Sequence, residues 1–180
     1  TAGRQGQKID RIVIHHNAST ADVIPGVWQT RQASAHYQVT PNAVRQCVDE
    51  NNTAWHAGNW AMNLRSIGIE HLNSTGAPNW QVSPKTIERS AQLVADICNR
   101  YGITIDREHI IKHSEVPRAT SCPGGLDIDK LVARARELAG QTELPSTVVP
   151  TPPKPDQHSG GGWLYFDYRG NVRNEPTTTS

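Results

Sequence analysis

The segment His113-Ser114-Glu115-Val116-Pro117-Arg118-Ala119-Thr120-Ser121-Cys122-Pro123-Gly124 limits what this chain can become more than any other. It places a histidine nine positions before a cysteine, in a stretch too rich in proline and glycine to be a helix. Imidazole and thiolate are the donors zinc prefers, and two donors do not complete a site. Another ligand must come from elsewhere. Ile12-Val13-Ile14-His15-His16-Asn17 offers it, as an apolar run ending in two histidines, the pattern of a buried strand that delivers side chains to the end of a sheet. The fold therefore has to unite two segments about a hundred positions apart. Neighbours on a regular strand face opposite sides, so only one of His15 and His16 can reach a given metal, and spacing does not say which. Three protein ligands leave the fourth position to water, the catalytic form of a zinc site.

A hydrolytic zinc site also needs a group that moves protons. Ser66-Ile67-Gly68-Ile69-Glu70-His71-Leu72 is a second buried-strand pattern, interrupted by an acid, and a carboxylate there is costly unless its surroundings are polar. Glu70 is the candidate base, with Glu115, in a more polar segment, ranked below it. Thr120, two positions before Cys122, is near enough to hydrogen-bond a developing oxyanion, or else it stabilises the loop as a turn. Trp55-His56-Ala57-Gly58-Asn59-Trp60 mixes aromatic and polar groups in a way that suits a sugar or peptide groove. His36 reads as structural.

The remaining elements follow from local pattern. Residues 34–40 and 44–48 read as strands joined by the turn Pro41-Asn42-Ala43, and 27–32 as a short helix. Ser83 and Pro84 start a helix whose inner face is Ile87, Ala91, Val94, Cys98 and Tyr101, and Gly102 ends it. Residues 109–111 form a short strand leading to His113. A second helix covers 126–138 and stops at Gly140. Beyond it Pro145, Pro150, Pro152 and Pro153 make a stiff spacer and Gly160-Gly161-Gly162 a flexible joint. The expected division is a domain over 1–140, a linker over 141–162 and a tail over 163–180. The aromatic Trp163–Tyr168 stretch is either the start of a truncated second module or a strand that docks on the first domain.

A length of 180 residues suffices for one domain with a real core, and a formal net charge of +1 calls for neither nucleic acid nor an anionic membrane. No apolar run is long enough to span a bilayer. Three cysteines, Cys47, Cys98 and Cys122, fit a reduced chain with one ligand thiolate better than a disulfide scaffold. The opening Thr1-Ala2-Gly3-Arg4-Gln5 has neither a Met nor the apolar run of a signal peptide, and reads as processed or excised.

With these residues in place, the chain resembles the zinc-dependent N-acetylmuramoyl-L-alanine amidases, the family of phage endolysins and bacterial autolysins that also includes the peptidoglycan recognition proteins. The matching blocks are Ile12–His16, Ser34–Tyr37, Ala54–Gly58, Asn63 with Ser66–Glu70, and His113 through Gly124, in one order over residues 10–139. The resemblance implies an α/β fold with a mixed central sheet flanked by helices on both faces. It makes His15, His113 and Cys122 the zinc ligands and Glu70 the catalytic base. Some relatives carry a tyrosine where Ala35 stands, and lysine where Thr120 stands, so Glu70 acts without that tyrosine and Thr120 offers a hydrogen bond without charge. Trp55, His56, Trp60 and Asn63 are the implied substrate contacts. The implied reaction is hydrolysis of the amide between N-acetylmuramic acid and L-alanine in peptidoglycan by a monomer acting on the bacterial wall, as a phage lysin released from the host cytoplasm or a secreted autolysin. The rival readings are a non-cutting peptidoglycan receptor and a zinc peptidase acting within the stem peptide.

Overall fold

The computed structural model describes residues 3–117, 120–141, 165–166 and 172–173. Its centre is β1 (Arg11–Ile14), whose Ile12, Val13 and Ile14 are fully buried, as a continuous apolar strand requires. The remaining strands are β2 (Tyr37–Val39), β3 (Val44–Gln46), β4 (Ser66–His71), β5 (Ile110–Lys112), β6 (Tyr165–Phe166) and β7 (Val172–Arg173). They form one sheet of order β5-β1-β4-β2-β3-β6-β7. β5, β1, β4 and β2 run parallel, while β3, β6 and β7 add antiparallel pairings, so the sheet is mixed.

Among the described residues three α-helices cover it: α1 (Trp60–Arg65), α2 (Pro84–Tyr101) and α3 (Ile128–Gln141). α2 and α3 pack on one face, where Ala91, Val94, Ile97, Leu131 and Ala135 meet Ile12, Ile14, Ile67 and Ile69. Each fully buried Ile there contributes roughly 1.5–3 kcal/mol. Cys98 lies in this core, as its place on the α2 face predicts. The other face carries a smaller cluster, Val13, Ala57 and Val116, with Met62 of α1 and Ile111 packed against it. Helices thus lie on both faces, unequally, and the lightly covered face is free for chemistry.

Several boundaries differ from the sequence expectation. Regular pairing on β2 covers only Tyr37–Val39, and the 27–32 helix is a single 3-10 turn over Gly26–Gln29. α1 has no counterpart in the reading above: the Asn59 side chain caps it by accepting the Met62 N–H, and six residues are too few to show a period. Gly140 does not stop α3, which continues to Gln141. α2 has the expected caps, with the Ser83 hydroxyl accepting the Thr86 N–H and Gly102 left-handed at φ 65°. The proline-rich segment lies outside the described residues.

One buried acid ties the sheet to α2. Glu50, 8% exposed, accepts hydrogen bonds from Tyr37 Oη (2.8 Å), Tyr101 Oη (2.7 Å) and both terminal nitrogens of Arg100 (2.5 and 2.9 Å). Burial alone would raise its pKa. Arg100 and the two phenols outweigh that and hold the carboxyl below its usual 4.5. A depressed folded-state pKa gives stability that is present above 4.5 and lost as pH falls through the folded value. Glu50→Gln should lower stability at pH 7 by about 2 kcal/mol, with Arg100's partial exposure already discounted. In urea denaturation the gap between variant and parent should narrow as the pH is taken into the acid range.

Candidate metal centre

Because β1, β4 and β5 run parallel, their C-terminal ends share one edge of the sheet, where open α/β sheets gather functional groups. The β1 ladder continues past Ile14, since the His15 N–H donates to Ile69 O and the Asn17 N–H to His71 O, both at 2.9 Å. Alternation therefore carries on, putting Val13, His15 and Asn17 on the lightly covered face and His16 on the other. His16 turns away: its Nδ1 lies 3.2 Å from Asn73 Oδ1 and its ring packs edge-on to Trp80. His113 follows β5 directly, in a 3-10 turn over His113–Glu115, and the Ser114 N–H donates to Cys122 O at 2.9 Å.

These constraints bring His15, His113 and Cys122 together, with one ligand-capable atom of each within 4.8 Å of the others. His15 Nδ1 stands 3.7 Å from Cys122 Sγ, and the His15 and His113 ring centroids are 4.4 Å apart. Burial, then the neighbouring histidines, hold His15 well below its ordinary pKa, so its imidazole is neutral and able to ligate. Burial, then the Glu70 charge, push the Cys122 thiol up to about 12, against a lowering hydrogen bond from the His16 backbone. A thiol so placed keeps its proton at neutral pH and releases it to solvent when a cation binds the sulfur. Two imidazoles and a thiol at this spacing match the donor chemistry of zinc with one position open.

A chain of hydrogen bonds fixes which His15 nitrogen faces the site. The Met62 carbonyl can only accept, so the Ser66 hydroxyl donates to it at 2.6 Å. Ser66 Oγ then accepts from His56 Nε2–H at 3.2 Å. Burial, then the neighbouring His15, hold His56 well below its ordinary pKa, so it is neutral and its Nδ1 is bare. That nitrogen accepts from His15 Nε2–H at 3.0 Å, leaving the His15 Nδ1 lone pair directed at Cys122 Sγ. His113 is set the same way, with Nε2 donating to Ala57 O at 3.2 Å. Behind the site the buried His71 bridges His15 O and Ser90 Oγ, each at 2.7 Å, and anchors the end of β1 to α2. Room for the His56 ring exists because residue 68 is glycine: a Cβ there would lie 2.5 Å from His56 Cγ.

Glu70 projects from β4 on the same face as Gly68, in register with Gln38 of β2. Its Oε2 is buried without a hydrogen-bond partner, and burial pushes the carboxyl up to about 8. Glu115 is committed elsewhere, accepting from the Lys112 N–H (2.8 Å) and from Arg107 (2.6 Å). Thr120 Oγ1 accepts the Cys122 N–H at 3.2 Å, the geometry of a turn that shapes the ligand loop. Trp55 and Trp60 are 50% and 43% exposed and meet edge to face with centroids 6.2 Å apart. Asn63 points inward, its Oδ1 accepting the N–H groups of His56 (3.2 Å) and Ala57 (2.8 Å). The His56, Ser66 and His71 contacts and the placement of Asn17 were not read from sequence. Apart from the strand alternation that pairs Asn17 with His15, they depend on contacts across elements that carry no local signal.

Comparison with known proteins adds the following. A family model described as N-acetylmuramoyl-L-alanine amidase matches residues 5–125. A probable N-acetylmuramoyl-L-alanine amidase of Bacillus licheniformis is 30% identical over 100 residues, covering 52% of this chain and 27% of that protein. The chain thus spans about a quarter of the length of the curated relatives it matches. Among solved structures, the E. coli N-acetylmuramyl-L-alanine amidase AmiD, in complex with anhydro-N-acetylmuramic acid-L-Ala-D-gamma-Glu-L-Lys, is 28% identical with a TM-score of 0.61, over 74% of this chain and 58% of that one. AmpDh3 of Pseudomonas aeruginosa, in complex with an anhydromuramic pentapeptide, is 26% identical with a TM-score of 0.59, over 72% and 60%. Staphylococcus aureus AmiA, 19% identical with a TM-score of 0.63 over 77% of each chain, shares the fold.

Proposed function

Because the chain belongs to the N-acetylmuramoyl-L-alanine amidase family, we propose that it hydrolyses the amide joining the lactyl group of N-acetylmuramic acid to L-alanine in peptidoglycan, as a lytic, endolysin-like enzyme. The observation that carries this reading is the convergence of His15, His113 and Cys122 beside a buried carboxylate oxygen with no partner of its own. His15 and His113 would hold zinc through Nδ1 and Cys122 through Sγ. When bound, zinc polarises the scissile carbonyl and makes water a better nucleophile near neutral pH.

The chain's own residues do the rest. Glu70 takes the proton of the attacking water at its carboxylate and passes it to the departing L-alanine nitrogen. The Ser66–His56 chain keeps a lone pair of His15 aimed at the metal, and outer contacts of this kind sustain ligand basicity. Thr120 holds the Cys122 loop in its turn, and its hydroxyl can offer a hydrogen bond to a developing oxyanion. Trp55 and Trp60 present apolar ring surface at the rim, suited to a sugar face, while His56 and Asn63 shape the loop that carries them. In this reading residues 1–140 form the catalytic domain, 141–162 a linker and 163–180 a tail, and the pairing of β6 with β3 supports a tail laid on the sheet edge. The enzyme works as a monomer on the bacterial wall. Among the described residues no helix is long and apolar enough to cross a membrane.

Mass spectrometry of muropeptides after digestion of purified cell walls tests the proposal. New amino termini on L-alanine, paired with free lactyl carboxylates, are expected. New termini on any other stem residue would make the protein a peptidase. Muropeptides bound but left intact would make it a receptor.

A further inference from the structure

Asn17 is a polar side chain that the mechanism leaves unused. Both its Oδ1 and its Nδ2 are buried and have no hydrogen-bond partner. A buried amide in that condition forfeits about 1–3 kcal/mol for each group left unmet. Neighbouring asparagines in this fold do not share it: Asn63, Asn73 and Asn59 all use their side-chain oxygens in bonds to backbone or ring groups. The fold is able to satisfy an asparagine, and at residue 17 it does not.

The position explains what the amide is for. Asn17 continues the β1 ladder two residues beyond His15, on the same face of the sheet. Two residues of strand amount to about 6.6 Å. Across the ladder Ile14 pairs with Ile69, so His15 stands opposite Glu70 and Asn17 stands one step further along that edge. The buried Glu70 Oε2, also without a partner, lies on this same face. One orphan is a carboxylate oxygen, and the other is a joint donor and acceptor two strand residues further along the same face.

Building on the amidase reading, we propose that Asn17 is a substrate-recognition residue whose side-chain amide pairs with a secondary amide of the muramyl peptide next to the scissile bond. A secondary amide is the complementary group: its carbonyl takes the Nδ2–H and its N–H gives to Oδ1. Two groups of the substrate have this chemistry, the peptide bond that follows L-alanine and the 2-acetamido group of the sugar.

The test uses Asn17→Leu, which keeps the volume and removes both polar atoms, with Asn17→Asp as a second variant that keeps the acceptor alone. In the zinc-loaded chain Asn17→Leu should melt no lower than the parent, because no internal hydrogen bond is lost. With a muramyl tripeptide it should lower kcat/KM roughly 10- to 100-fold, the expected loss for two hydrogen bonds, and Asn17→Asp, which adds a charge on the face that holds Glu70, should do no better. If the penalty persists on a substrate whose sugar lacks the acetyl group, the partner is the peptide bond; if it vanishes there, the partner is the acetamido group. A lower melting temperature with unchanged kinetics would make Asn17 structural, and unchanged melting with unchanged kinetics would make it a hydrated bystander; either overturns the assignment. If the parent releases no L-alanine amino terminus, the amidase reading fails on its own account. Asn17 is then judged by calorimetry of the intact muramyl tripeptide, where an equal Kd for parent and Asn17→Leu refutes it.

Discussion

Alanine at His15, His113 or Cys122 should remove metal and activity together. Each variant, purified without added metal, should retain far less than the roughly one zinc per chain expected of the parent, with turnover at background. The reasoning is geometric: the ligand atoms of the three donors lie within 4.8 Å of one another, and losing any one leaves two. Changing a group that merely supports a ligand costs about 10- to 100-fold in metal affinity, so removing a ligand itself should cost more. His16→Ala is the control. His16 adjoins His15 in sequence, but its ring bonds Asn73 and faces Trp80, and this variant should keep its zinc. Metal analysis and turnover measured on the same samples decide the matter. Loss of zinc from His16→Ala with retention in His15→Ala would overturn the ligand set.

Glu70→Gln should cut turnover by roughly 10²–10⁴-fold while zinc and substrate still bind, the range expected when a general base is removed. Two further readouts separate this role from a structural one. The Glu70 carboxyl is held near 8 by burial, above its ordinary 4.5. A carboxyl raised on folding binds its proton more tightly in the folded chain, so stability falls as pH rises from the unfolded value through the folded one. Glutamine carries no charge to bury, so the metal-free variant should be at least as stable as the parent at pH 8. The acid limb of the pH–rate profile, where the parent loses its base to protonation, should be missing from whatever activity remains. Near-normal turnover would move the base to another group, although Glu115 is already engaged by Arg107 and Lys112.

The long elements were legible because period and caps agree. α2 carries an apolar face, Ser83 and Pro84 at its start and Gly102 at its end, and the chain folds it so. The unbroken apolar run of β1 marks it as central, and the acid interrupting the buried pattern of β4 marks Glu70. What escaped was whatever depends on contact across elements. Alternation showed that His15 and His16 diverge, but only packing shows that His16 meets Trp80. Arg4 sits in an opening stretch that reads as processed, yet it is 8% exposed and donates to the carbonyls of Glu50, Leu64 and Ser66. Nothing local marks a guanidinium that serves backbone oxygens some sixty positions away. α1 is too short for periodicity, and Gly140 carries a stop signal although the helix runs through it. Residue type suggests a groove for His56 but says nothing of the bonds its two ring nitrogens make to His15 and Ser66.

Gly68 gives positions 56 and 68 a shared history. The space beyond its Cα is filled by the His56 ring, at 2.5 Å from where a methyl would begin. A scan that mutates residues to alanine usually passes over glycine as having nothing to remove, and would miss the link. Here the informative change is an addition, and its effect depends on what stands twelve positions earlier. With histidine at 56, any side chain at 68 pushes the ring off Ser66 and off His15. With a small residue at 56 the same addition is tolerated, but the hydrogen-bond chain behind His15 is already gone. The two positions are therefore epistatic: neither can drift alone without a loss at the metal, and variants that alter both should arise as a pair.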